Sequence, residues 1–117
     1  EDEKTVSTQF TAPYDWTGWG HVIHGGFHGL LHDEITAWVP FGLLNERNFV
    51  TKEMTITYLK PAYVEQPLYV VGQLLEDQGR RIIVKGEIRD EAGNVLSEAR
   101  STLVRLKSEV MKSMGGQ

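Results

Sequence analysis

Only one stretch of this chain repeats its apolar residues at helical spacing. Phe27, Leu30, Leu31, Ile35 and Trp38 follow an i, i+3, i+4 pattern, and Pro40 and Gly42 should kink or end it. Every other patterned segment alternates with a period of two. Residues 5–11 set Val6, Thr8 and Phe10 on one face, and residues 49–59 do the same with Val50, Met54, Ile56 and Tyr58. Strand patterns follow at 68–75, 81–88 and 95–106, with turns near Gln78 and Gly79 and at residues 90–94. Residues 13–20 read as a loop, and the two prolines of 60–67 mark a break. Strand, helix, then four strands predicts an α+β domain: a curved antiparallel sheet of about five strands wrapped around one long central helix. The edges of such a sheet call for cover by a partner subunit, so a homodimer is expected.

The chain has 117 residues, enough for one domain with one core. The core is expected at about 5–106, with a charged start (residues 1–4) and a tail (107–117) that is frayed or weakly helical. The net charge of -4 argues against a broad attraction to nucleic acid or to an anionic membrane. No apolar run approaches the roughly 20 residues that span a bilayer. The absence of cysteine excludes disulfides, thiolate metal sites and a cysteine nucleophile. It fits a reducing compartment, and with no signal-peptide pattern the expected location is the cytoplasm.

All four histidines fall in one segment, HVIHGGFHGLLHDE, which ends in two acids, Asp33 and Glu34. At ~100° per residue, Asp33 points away from the apolar stripe. Its neighbours on that side are Gly26, Gly29, Thr36 and Ala37. A carboxylate in a lane of small residues faces something other than bulk solvent, because small residues admit a backbone, a thin ligand or a second subunit. His24, His28 and His32 are spaced i, i+4, i+8 and could offer metal ligands. Asp33 lies off their stripe, no HExxH pattern is present and no third ligand is placed, so no metal is expected. His28 and His32 then fill polar or semi-buried positions, or narrow and polarise a pocket. His24 precedes Gly25 and Gly26 at the helix start, where unpaired N–H groups and the helix dipole can hold an anion or an oxyanion. A glycine-rich entry turn is the plainer alternative.

The segment HGGFHGLLHD resembles the signature of the PaaI-like branch of the hotdog-fold thioesterases, in the 4-hydroxybenzoyl-CoA thioesterase superfamily. An acid follows the motif histidine by nine residues, as Asp33 follows His24. VTKEMTITYLKPAYVEQPL and GRRIIVKGEIRDEAGNVLSEARSTL are similar to later strands of the same family. The resemblance spans roughly residues 10–106. It implies the hotdog fold, a homodimer that can pair again into a dimer of dimers, and active sites at the dimer interface. It also implies an acyl-CoA thioesterase that needs no cofactor. Asp33 would be the general base or the nucleophile, and the Gly25 N–H would polarise the thioester carbonyl. His24 would shape the turn or touch the thioester. Thr51, from the partner chain, would help to hold the attacking water.

For an acyl-CoA substrate, Lys60, Arg80 and Arg81 are candidate phosphate contacts. Gly26, Glu34, Phe27 and Trp19 are candidates around the acyl group, with Trp16 and Tyr14 beside them; the aromatic residues could equally be plain packing. Glu34 either meets a polar group or points into the acyl pocket. Many relatives carry Asn or Gln six residues before the motif histidine, where this chain has Gly18. That leaves the water-orienting role unassigned. Small aromatic, short-chain and medium-chain acyl groups are all compatible. The rival reading is a non-catalytic acyl-CoA binder on the same fold.

Overall fold

A computed structural model describes residues 5–106, apart from the side chain of Trp19. The expectations for residues 1–4 and 107–117 lie outside the described residues. Five strands form one antiparallel sheet: β1 (Thr5–Thr11), β4 (Phe49–Tyr58), β5 (Pro67–Asp77), β6 (Arg81–Arg89) and β7 (Val95–Arg105), in the order β1-β5-β6-β7-β4. The helix α1 (Gly25–Val39) lies across its inner face. The order of periods anticipated a sheet around one helix, and the arrangement is the hotdog fold that the resemblance implies. Residues 13–20 are less loop-like than they read. They hold one 3-10 turn (Tyr14–Trp16) and β2 (Thr17–Trp19), which pairs with β3 (Val22–Ile23). Strands of two and three residues are too short to carry a period. Tertiary bonds hold this ribbon instead: His24 N–H to Trp16 O at 2.9 Å and Ile23 N–H to Ala62 O at 2.8 Å. The α-helix ends at Val39, as Pro40 predicts, and the chain continues through a π turn, Pro40–Leu44.

Small residues seat the helix. Gly72 of β5, Gly86 of β6 and Ala99 of β7 stand in one cross-strand row. A Cβ on Gly72 would lie 2.7 Å from Val39 Cγ2 and 3.1 Å from the Ile35 carbonyl oxygen, closer than atoms can pack. The row therefore lets the helix backbone approach the sheet. Apolar clusters fill the space on either side. One contains Ile23, Ile35, Val64, Leu68, Val70, Ile88 and Leu96; the other contains Val39, Ile82, Val84 and Leu103.

Two sequence expectations fail in part at this level. The buried face of α1 matches the expected stripe only in part: Ile35 is buried and Phe27 and Leu31 pack against the first cluster, but Trp38 does not. The buried residues of the helix are His28, His32, Ile35, Thr36 and Val39, while Leu30 is 51% exposed and Trp38 48%. In β4 a register shift between Thr51 and Glu53 reverses the alternation. Phe49 packs against the second cluster and Val50, expected on the face of Met54 and Ile56, is exposed.

Candidate active site

His24 is the N-cap of α1. Its backbone is extended (φ -57°, ψ 137°), and its Nδ1 accepts from the Gly26 N–H at 3.0 Å. The neutral ring therefore carries its proton on Nε2. One of the orphan donors of the helix start is thus satisfied by His24. Gly26 is spent in the same bond. The Gly25 N–H has no acceptor among the described residues, and it points out of the helix end. The Gly25 carbonyl accepts from the Tyr58 hydroxyl at 3.0 Å, which ties the helix start to the end of β4. Val22, Ile23, Gly25, His28, Tyr58, Lys60 and Pro61 enclose a cleft of about 280 Å³ there. Gly18 lies behind His24, where a Cβ would come 3.1 Å from the His24 Cα. A larger side chain at this position would have to displace the cap.

Strand β4 runs antiparallel to α1 along the lane of small residues. Tyr58 meets Gly25, Ile56 Cδ1 would touch a Cβ on Gly29 at 3.6 Å, and Thr51 shares a cleft with Ala37. The lane thus admits the chain's own edge strand as well as anything beyond it. Asp33 sits in the middle of this flank. It is exposed, and its carboxylate has no hydrogen bond or ion pair among the described residues. Thr51 lies on the same side of the same chain's helix, one turn from Asp33 along the lane.

Glu34 is engaged elsewhere: its Oε2 accepts from Trp38 Nε1 at 3.3 Å. It lines two apolar clefts. One, about 360 Å³, is bounded by Ala37, Trp38, Phe41, Phe49, Thr51 and Leu103; the other, about 610 Å³, lies between β1 and the helix. Asp33 lines neither of these. Phe27 is stacked on Trp16, with ring centroids 4.3 Å apart and an interplanar angle of 14°, and Trp16 meets Phe10 at 5.0 Å. These rings pack against one another and against the first apolar cluster. The side chain of Trp19 lies outside the described residues.

The three candidate phosphate contacts do not converge within one chain. Lys60 stands at the helix start. Arg80 and Arg81 stand at the far end of the sheet, where Arg81 pairs with Val104, whereas Tyr58 pairs with Ser97. His28 and His32 are buried, and both bond to the Ser97 hydroxyl, at 2.8 and 2.9 Å. Burial lowers the pKa of His28. Burial, with a smaller contribution from His28, takes that of His32 down to about 4. Both rings are therefore neutral near pH 7. Among the described residues no group of three or more His, Cys, Asp or Glu side chains could hold a metal ion. Sequence reasoning missed Tyr58 and Ser97. Tyr58 was legible only as a strand residue, and Ser97 lies 69 residues from His28 in the chain.

The fold agrees with the comparisons. The family model of the thioesterase superfamily (4HBT) matches residues 20–97, and the chain belongs to that superfamily. Among solved structures it is similar to a thioesterase superfamily protein at 26% identity and a TM-score of 0.77. That alignment covers 86% of this chain and 48% of the other, so the chain spans about half the length of that relative. It is also similar to the Escherichia coli PaaI protein from the phenylacetic acid degradation operon (18% identity, TM-score 0.78, 88% of this chain and 73% of that one). A third is a Streptococcus mutans protein solved bound to acetyl-CoA (20% identity, TM-score 0.78, 88% and 82%). Together they place a hotdog fold on a member of the thioesterase superfamily. No curated protein matches the chain. No helix among the described residues is long and apolar enough to cross a membrane.

Proposed function

We propose that this chain is an acyl-CoA thioesterase whose active site is shared by two copies. The carrying observation is a separation. Gly25 and Asp33 are eight residues apart on one straight helix, about 12 Å along its axis. The free Gly25 N–H points out of the helix start, further from Asp33. A donor must lie ~3 Å from the carbonyl oxygen, and a base must reach the attacking water at a similar distance. Gly25 and Asp33 of one chain cannot both meet one thioester. Antiparallel pairing of two open β4 edges, about a two-fold axis near Thr55, supplies the missing half. Strand rise is ~3.3 Å per residue, so this pairing brings the Tyr58 and Gly25 end of one chain level with the middle of the partner's β4. There the partner contributes Asp33 and Thr51. Asp33 then activates water or attacks directly, Thr51 helps to hold the water, and Gly25 polarises the carbonyl.

The apolar cleft beside Thr51 is of a size for a small aromatic or a short- to medium-chain acyl group. The same pairing aligns Lys60 of one chain with Arg80 and Arg81 of the other at one end, where the phosphates of CoA require cations.

The test uses two inactivating variants and their mixture, with free-thiol release from acyl-CoA esters as the readout. Asp33→Asn removes the base and is expected to lose about 10²–10⁴ in kcat with the fold retained. Gly25→Pro deletes the backbone donor. Proline is tolerated at the first helical position, and the extended backbone of His24 suits a following proline. The expected loss is about 10²–10³. Co-refolding the two variants should restore about a quarter of wild-type activity, because half of the random dimers then hold one intact site. A mixture no more active than its components would reject the shared site. Wild type that binds acyl-CoA and releases no thiol would be a binder, not an esterase.

A further inference from the structure

Two buried histidines of α1 take no part in this chemistry, and one hydroxyl joins them. The Ser97 hydroxyl has no partner among the described residues other than the two imidazoles, so its one proton goes to one ring and it accepts from the other. The far end of this hydrogen-bonded chain decides which. His32 Nδ1 is sealed from solvent and bonds nothing. A Cβ on Gly86 would lie 2.8 Å from it, so a Cα hydrogen of Gly86 faces this nitrogen. A C–H can donate weakly to a lone pair but offers nothing to an N–H. Orphaned buried N–H groups are also the rarer defect. His32 therefore carries its proton on Nε2 and donates it to Ser97 Oγ. Ser97 donates to His28 Nδ1, and His28 is left with its proton on Nε2.

That Nε2–H has somewhere to point. No group among the described residues bonds it, yet it is not one of the sealed, unsatisfied atoms, which are His32 Nδ1 and Ser101 Oγ. His28 is 4% exposed, and it lines the cleft that also holds Gly25, Tyr58 and Lys60. Helical side chains lean towards the N-terminus, over the residue three positions earlier, which here is Gly25. The edge of Tyr58 packs against the imidazole at 5.2 Å between centroids and holds it in place.

We propose that His28 is a further substrate-contacting residue, whose Nε2–H donates to the thioester carbonyl oxygen beside the Gly25 N–H, and that Ser97 and His32 are positioning residues that fix this tautomer. The proposal rests on the thioesterase reading and adds a side-chain donor to the backbone one. A carbonyl oxygen has two lone pairs, and two donors stabilise its developing charge better than one.

The test combines ring-nitrogen ¹⁵N NMR with kinetics. At pH 7.5 both His28 and His32 should show a protonated Nε2. The His28 Nε2–H resonance should move when a ketone analogue of acetyl-CoA, with a methylene in place of sulfur, is bound. His28→Leu should lower kcat about 10²-fold with KM little changed, the signature of a donor used in the transition state. His28→Gln, whose amide nitrogen reaches the Nε2 position, should recover most of that loss. Ser97→Ala should stay folded, leave His28 as a mixture of tautomers and lower kcat by less. A proton on His28 Nδ1, or full kcat in a folded His28→Leu, overturns the proposal. If wild type hydrolyses no ester, the thioesterase reading fails separately. The tautomer and the analogue titration still decide whether His28 presents a donor, and an unmoved resonance then rejects it.

Discussion

The flank of α1 that faces the sheet carries His28, His32 and Thr36, whereas the flank that faces away carries Leu30 and Trp38. An amphipathic helix ordinarily has the reverse distribution. The inner flank tolerates its polar groups because the sheet and the helix backbone answer most of them. Ser97 bonds both imidazoles, and the Thr36 hydroxyl donates to the His32 carbonyl at 2.8 Å. Glycine and alanine across the strands leave room for the rings. The outer flank has no such partner among the described residues. Its apolar side chains border open clefts, and its one free acid, Asp33, lies beside an unpaired edge strand. The chain's own sheet touches the inner flank, and the proposed active site places substrate and a second copy against the outer one.

Acid should break the inner flank first. The unfolded chain protonates its histidines as pH falls below about 6.5, while the folded chain resists at His32 until about 4. A buried neutral histidine thus leaves stability intact above pH 6.5, and that stability is lost as pH falls from 6.5 towards 4. The gap at His32 corresponds to ~3 kcal/mol. The unfolding free energy from denaturant titration should fall by most of this between pH 7.5 and 4.5 in wild type and by distinctly less in His32→Leu. Equal losses in both would mean that the inner flank is not where acid acts.

Crowding the same flank is the next test. Gly86→Ala sets a methyl group against His32 Nδ1 and should cost about 1–3 kcal/mol in chemical unfolding at pH 7.5. A neutral result would show that the helix can lift from the sheet without penalty. The smallest effect belongs to the outer flank. Leu30→Gln should change the stability of the isolated chain by no more than about 0.5 kcal/mol. A larger and concentration-dependent loss would show that a second copy already covers Leu30.

Much of this molecule could be read without coordinates. The element order, the end of the helix at Pro40 and the turns at Gly79 and Gly93 follow from neighbouring residues, because period, capping and positive φ are local properties. The spacing from His24 to Asp33 is local as well, and it named the family. The buried face of α1 was legible only in part. Apolar residues on a helix say which side avoids water, but here they border clefts, and histidines take the core because a serine more than sixty residues away bonds them. The bulge that turns Thr51 inward, the glycine row under the helix, and the separation of Lys60 from Arg80 and Arg81 are of the same kind. Each depends on the register and close approach of segments remote in sequence, and only the tertiary structure sets those.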